Sequence, residues 1–221
     1  MPAFRSALRV GVRTLETDVQ FTSDGVPVLM HDLSLARTTD GTGTAADLTY
    51  DQVRALDAGR WFGRRFGGTR VPSMLEMLTL ARSQGARVQL ELKVRPTPAQ
   101  MATFLMQLRQ TTMGRSVIVN SFDPQTVLDV RAAAPDIATA IVDNPKFRAS
   151  SSVLSFGQTY IVNEASVTAA RVAGWRKAGI AVRPWVVDSV AGWRRMAFDR
   201  AAATITNDPS RYLAWARSAC R

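Results

Sequence analysis

The sequence predicts an α/β barrel, a parallel sheet built with crossover helices. Short apolar runs alternate with amphipathic stretches along most of the 221 residues, and a strand–helix–strand succession of this kind implies parallel pairing. Seven runs of strand length recur, at 15–21, 88–92, 116–120, 137–142, 159–162, 180–187 and 203–206. That number in one domain points to a barrel more than to an open sheet, and it is one short of eight. A hydrophobic content of 46% is ordinary for a globular chain with a sizeable core.

Residues 1–11 have helical periodicity, with Pro2 suited to a first helical turn. The strand at 15–21 then meets Asp24-Gly25, a tight-turn dipeptide that folds 26–30 back as a hairpin arm. This arm is an excursion from the rim and not a barrel strand, and it returns the chain with His31-Asp32 near the same rim. Residues 33–71 form a polar, glycine-rich insertion, long for a barrel loop and placed where such loops shape a site. Inside it, Thr49-Tyr50-Asp51-Gln52 reads as a capping box opening a short helix through Leu56. Apolar residues three and four apart mark further helices, among them Met74-Leu75 to Leu80-Ala81 and 98–108. One domain over 1–221 accounts for the whole pattern, with no linker or repeat.

Composition narrows the function. The net charge of +10 is compatible with nucleic acid, an anionic membrane or a phosphate substrate. The arginines are dispersed at helix-like spacings, and the tightest clusters, Arg60 to Arg65 and Trp193-Arg194-Arg195, are too short for a nucleic-acid arm. No nucleic-acid partner is expected. No apolar run reaches the roughly 18 residues of a membrane span, so stable membrane insertion is not expected, and residues 1–11 show no export signal. The single cysteine, Cys220, excludes an intrachain disulfide and reads as an incidental tail thiol.

Glu16-Thr17-Asp18 sets two carboxylates on one face of a strand. At the mouth of a barrel such a pair repels unless a cation lies between, whereas on an exposed edge both are simply solvated. Glu91-Leu92-Lys93 repeats the spacing on the next strand, and an ion pair between Glu91 and Lys93 is its plainer explanation. Taken together, Glu16, Asp18 and Glu91 make a hard oxygen site suited to Mg²⁺ or Ca²⁺. Lys93 beside it would neutralise phosphate oxygens. His31, the only histidine, stands at the foot of the hairpin beside these carboxylates; lone histidines are often structural, but that position favours proton transfer.

The run from Glu16-Thr17-Asp18 through Asp24-Gly25-Val26-Pro27 to Met30-His31-Asp32 resembles the signature of the glycerophosphodiester phosphodiesterases. The resemblance continues in order through Leu35-Ala36-Arg37-Thr38-Thr39, Gly41, Leu56-Asp57-Ala58-Gly59-Arg60-Trp61-Phe62, Val71-Pro72-Ser73-Met74 and Glu91-Leu92-Lys93. It ends with Ser121-Phe122, Trp185-Val186-Val187-Asp188 and Thr206-Asn207-Asp208-Pro209. It implies a TIM (β/α)8 barrel of the phospholipase C-like phosphodiesterase type, and metal-dependent hydrolysis of glycerophosphodiesters to an alcohol and glycerol 3-phosphate. It further implies that Glu16, Asp18 and Glu91 are metal ligands, His31 one of two catalytic histidines, Lys93 a phosphate contact and Trp185 an aromatic of the pocket. Ordinary packing at the barrel mouth explains Trp185 equally well; Ser121 and Phe122 receive no role.

Members of that family open with a strand ending in His-Arg-Gly and a loop carrying Pro-Glu-Asn-Thr. Residues 2–8 resemble the helix that follows, so the first strand and its histidine are expected to lie outside the chain, with Met1 a misassigned start. Three functional readings compete. The enzyme releases glycerol 3-phosphate; a catalytically inactive barrel remnant binds a cation or phosphodiester without hydrolysis; a barrel phospholipase acts on intact lipid through Trp61, Phe62 and Phe66. The last is the weakest, because the family has similar aromatics there.

Overall fold

The computed structural model describes residues 1–143 and 150–219; the Cys220 expectation falls outside them. In chain order the elements are α1 (Pro2–Val10), β1 (Thr14–Phe21), β2 (Pro27–Leu29), α2 (Tyr50–Ala55), α3 (Met74–Ser83), β3 (Arg87–Leu92), α4 (Pro98–Gln110) and β4 (Val117–Ser121). There follow α5 (Pro124–Ala133), β5 (Ala138–Val142), α6 (Ser150–Leu154), β6 (Thr159–Asn163), α7 (Ala169–Lys177), β7 (Ala181–Trp185), α8 (Val190–Phe198) and α9 (Pro209–Ala219). Helix starts follow from local chemistry. Thr49, Ser73 and Thr97 each accept from the backbone of the Gln or Glu three residues on, whose side chain returns the bond, a reciprocal pairing that satisfies two otherwise orphaned N–H groups.

The strands form one sheet in the order β2-β1-β3-β4-β5-β6-β7. All neighbours from β1 to β7 pair in parallel, and β2 alone is antiparallel, against the end of β1. The Asp24-Gly25 turn is as expected: Gly25 has φ +80°, a conformation only glycine adopts without strain. Asp24 accepts from Thr22 Oγ1 and from the Tyr50 amide at 2.9 Å, which ties α2 to the hairpin.

Two-residue alternation separates a face packed against the helices from an inner face that is polar on β1 and β3 and largely apolar from β4 to β7. Leu15 and Val19 of β1, with Val88, Leu90 and Leu92 of β3, join Met74, Met77 and Leu78 of α3 and Phe104 and Leu108 of α4 in one buried cluster. A second cluster joins Ile141, Tyr160, Val162 and Val182 to Trp175 of α7 and Trp193 of α8. Each such fully buried leucine contributes about 1.5–3 kcal/mol relative to exposure. The opposite face, on the inner side of the curved sheet, carries Ile118, Ala140, Val142, Ile161, Trp185 and Ile205 as an inner apolar layer.

Six of the seven predicted runs are strands. The seventh, 203–206, is not: it runs extended beside β7, with Ala202 N donating to Val182 O, Ile205 N to Pro184 O and Val187 N to Ile205 O. Pro184 has no N–H to give, and the returning bond comes from Val187, so no regular ladder forms. Among the described residues, no ladder joins β1 to β7 or to this segment. None of the described helices is long and apolar enough to cross a membrane.

The insertion has a small core of its own, Leu35, Ala45, Val53 and Val71 against Val28 and Met30 of the hairpin arm. Its distal loop is wound around Asp57, whose carboxylate accepts from the amides of Gly59, Arg60 and Gly68 at 2.9, 3.0 and 2.8 Å. A side chain at Gly59 would meet Phe66 O at 2.0 Å, so the two limbs of the loop close only on glycine. The amides of Gly68, Gly59 and Arg60 push the Asp57 carboxyl down to about 2. A depressed folded value means the stabilisation is complete above the ordinary carboxylate range and is lost as pH falls towards 2. Asp57→Ala is expected to speed tryptic cleavage after Arg60, Arg64 or Arg65 by about tenfold or more through local opening; unchanged cleavage would show that other contacts hold the loop.

Candidate active site

The register of β1 on β3 builds the centre. Glu16 pairs with Gln89 and Asp18 with Glu91, so residues two apart on each strand project to the same inner side. One carboxylate oxygen each of Glu16, Asp18 and Glu91 lies within 4.8 Å of the others. Lys93, one step beyond Glu91 on the same face, places Nζ 2.9 Å from Asp18 Oδ1 and 2.7 Å from Glu91 Oε1. Both the predicted cluster and the predicted Glu91–Lys93 ion pair are therefore present together.

One ammonium does not balance three carboxylates. Burial, then the charges of Asp18 and Glu91, push Glu16 up to about 8 against the pull of Lys93. Burial also raises Glu91, with Lys93 counteracting. At Lys93, burial lowers the ammonium, and the contacts with Glu91 and Asp18 outweigh it and leave the group raised. Glu91 Oε1 is buried and is met by the Lys93 ammonium. Clustered hard oxygens with more carboxylates than one ammonium can balance are what a divalent cation would fit.

β4 adds Asn120, which pairs with Glu91 in register and is buried with neither amide atom hydrogen-bonded. Sequence reasoning took Asn120 as part of an apolar run. Its signal was a polar residue at the C-terminal end of a barrel strand, where sites form.

His31 leaves the hairpin at the same rim. The Met30 amide donates to Asp18 O at 3.1 Å, which extends the β1–β2 pairing to the residue before the histidine. Gln20, buried on β1, donates from Nε2 to Met30 O at 3.0 Å and Asp32 O at 2.6 Å, clamping the backbone on both sides of His31. The imidazole is 69% exposed, with Nδ1 2.6 Å from Asp32 Oδ1. Asp32 also binds Arg37 through Nε and, at 2.8 Å, Nη2. The hydrogen bonds from Arg37 and then His31 hold its carboxyl well below the usual range, so it is ionised at any working pH. Among the described residues His31 makes no hydrogen bond to Glu16, Asp18 or Glu91, and a positive charge on its ring would favour the ionised form of Glu91. Gln20→Ala would strand two carbonyls at a cost of about 1–3 kcal/mol. It is expected to lower turnover with little change in cation affinity; an equal loss of both would give Gln20 a purely structural role.

Trp185 ends β7, four strands along the sheet from β3, and so stands across the mouth from Glu91. Phe122 meets it edge-on, with centroids 5.9 Å apart, and its indole Nε1 is buried without a partner. One layer lower, Arg183 Nη1 donates to Gln89 Oε1 at 3.2 Å. The loop after β7 is fixed by Asp188, which accepts from Thr206 Oγ1, Asn207 N and Asn207 Nδ2 at 2.8, 2.8 and 2.9 Å. That gives a physical reason for the Asp188 and Thr206-Asn207 motifs to occur together.

The Glycerophosphoryl diester phosphodiesterase family profile matches residues 1–211. A glycerophosphodiester phosphodiesterase of Caldanaerobacter subterraneus is 29% identical over 215 residues, spanning 94% of this chain and 87% of the relative. The crystal structure of a Silicibacter pomeroyi protein described as a putative glycerophosphoryl diester phosphodiesterase superposes with a TM-score of 0.85 at 30% identity, covering 96% of this chain and 85% of the other. An Oleispira antarctica phosphodiesterase, solved with the product sn-glycerol-3-phosphate, shares the fold at a TM-score of 0.89 and 22% identity, over 97% and 89% of the two chains. The sheet of parallel strands with outer helices is thus the TIM-barrel-like fold of these relatives, and the chain belongs to the glycerophosphoryl diester phosphodiesterase family.

Proposed function

We propose that this chain hydrolyses glycerophosphodiesters to an alcohol and glycerol 3-phosphate at the mouth formed by β1, β3 and the hairpin. The observation that carries this reading is the carboxylate trio with Lys93 seated on two of its members. Glu16, Asp18 and Glu91 would hold Ca²⁺ or Mg²⁺, since both take hard oxygen ligands. When bound, the cation supplies positive charge to the phosphoryl oxygens.

The chain's own groups do the rest. With a cation among the carboxylates, Lys93 is free to turn from Asp18 and Glu91 to a non-bridging phosphate oxygen, where a fixed charge stabilises the transition state. Asp32 at Nδ1 favours the tautomer that carries its proton there, leaving Nε2 of His31 to exchange a proton with the reacting oxygen. Arg37 holds Asp32 in place. Trp185 and Phe122 offer an apolar wall to the glycerol or alcohol carbons. The Oleispira relative's bound glycerol 3-phosphate supports a product of this size and charge.

Glycerol 3-phosphate release from glycerophosphocholine tests the proposal. Turnover is expected with Ca²⁺ or Mg²⁺, abolished by chelation and restored on reloading. No turnover above a His31→Ala control would defeat it. Cation binding without turnover would favour the non-catalytic reading, which the chain's single histidine supports by leaving one imidazole for both proton transfers.

A further inference from the structure

The geometry points to the distal loop of the insertion as a docking surface for an anionic lipid bilayer. Trp61 and Phe62 are 52% and 68% exposed. The rings form one continuous cluster: Trp61 to Phe62 at 5.7 Å between centroids, and Phe62 to Phe66 at 5.5 Å. Isolated exposed apolar residues are ordinary, but a grouped aromatic cluster marks a surface that meets something.

The aromatics are held outward by the loop itself. The Trp61 indole N–H donates to Ala58 O at 3.1 Å, and Ala58 N donates to Thr69 O at 2.6 Å. The polar end of the indole is thereby satisfied within the loop, and its apolar face is left for a partner.

Charge selects the partner. Arg60, Arg64, Arg65 and Arg70 belong to the same loop and are exposed. Arg37 lies 5.8 Å over the Trp61 ring and Arg65 4.8 Å over Phe66. The one acid between residues 57 and 70 is Asp57; its carboxylate accepts from backbone amides within the loop and pairs with Arg60 at 3.5 Å, which leaves Arg64, Arg65 and Arg70 outside the ion pairs formed among the described residues. Surface tryptophan and phenylalanine beside Arg64, Arg65 and Arg70, more cation than the loop's one acid can balance, match the interfacial layer of an anionic bilayer, where aromatic rings settle at headgroup depth and each cation adds attraction. A nucleic acid would satisfy the arginines and leave Phe62 unburied.

The surface is coupled to the mouth. Arg37 bridges Asp32, the partner of His31, to Trp61. A bilayer under Trp61 and Phe62 therefore sets the hydrolytic rim beside lipid and the debris released from it. The inference goes beyond hydrolysis and stands on binding alone, so failure of either claim is distinguishable from failure of the other.

Vesicle flotation of the full chain tests it, comparing phosphatidylcholine vesicles with vesicles containing about a third phosphatidylglycerol at roughly 0.1 M salt. The expected result is at least about tenfold stronger partitioning to the anionic vesicles, weakened by salt. It should fall about tenfold in a Trp61→Ala/Phe62→Ala variant and in an Arg64→Glu/Arg65→Glu variant. Both variants change exposed side chains and are expected to keep native circular dichroism, and the Arg64→Glu/Arg65→Glu variant, which leaves the Arg37–Trp61 contact in place, is expected to keep native hydrolysis of glycerophosphocholine. The inference is overturned if the native chain does not float with anionic vesicles, or if the aromatic variant floats as well as the native chain. It is also overturned if gel filtration shows a native dimer that the aromatic variant dissolves, or if short duplex DNA binds as tightly as vesicles whether or not the aromatics are present.

Discussion

Glu16→Gln is expected to raise the thermal midpoint of the cation-free chain by about 3 °C or more, and to abolish the stabilisation that Ca²⁺ or Mg²⁺ confers on the native chain. The reason lies in the crowding of three carboxylates around one ammonium. Burial and the charges of Asp18 and Glu91 push Glu16 up to about 8, well above the ordinary carboxylate range. An acid whose folded value is raised binds more protons in the folded chain than in the unfolded one, so stability falls as pH climbs through the interval between the two. The advantage of the neutral glutamine is therefore small near pH 4.5, grows with pH and levels off above about 8. The glutamine also removes one hard oxygen ligand. Binding to the folded state alone stabilises by about 2.7 kcal/mol at a hundred times the dissociation constant, and the variant forgoes most of that gain. The two melting curves should then cross: variant above native without cation, native above variant with it. Scanning calorimetry at two pH values with and without cation checks this. A variant less stable than the native chain under cation-free conditions would mean the cluster is not frustrated.

His31→Ala is expected to lower kcat by about 10²–10⁴-fold, the usual contribution of a positioned acid–base group. The same change should leave folding and cation binding near native, because the ring is 69% exposed and its hydrogen bond among the described residues is to Asp32. Asp32→Asn should give an intermediate loss, since it keeps the imidazole and weakens its orientation by the Nδ1 contact. Steady-state kinetics beside a cation titration separates these outcomes. Parallel loss of cation affinity in His31→Ala would place the imidazole among the ligands instead.

Much of the site is legible in the sequence because strand periodicity is strict. Glu16 and Asp18 are two apart, as are Glu91 and Lys93, and no register other than a paired β1–β3 brings all four inward together. The Asp24-Gly25 turn likewise fixes where His31 emerges. What escapes is whatever depends on tertiary partners. Asn120 follows three apolar residues and is indistinguishable from the tail of a buried strand until Glu91 is placed beside it. Gln20 reads as a surface-compatible polar residue, and its role appears only once the hairpin brings Met30 and Asp32 over it. The run at 203–206 has strand composition, but Pro184 on its neighbour withholds an amide, a cross-strand fact that neither segment reveals alone. The contact of Arg37 with Trp61 joins two parts of a long insertion whose loops follow no period.

Whether Glu16, Asp18 and Glu91 together hold a divalent cation for hydrolysis is read from a crystal soaked in Mn²⁺ and measured at the manganese edge. The expected result is an anomalous peak about 2.0–2.6 Å from one oxygen of each carboxylate, with Lys93 withdrawn from Asp18 and Glu91. No peak between the three, or Lys93 still seated on both carboxylates with manganese bound elsewhere, would contradict a cation held there.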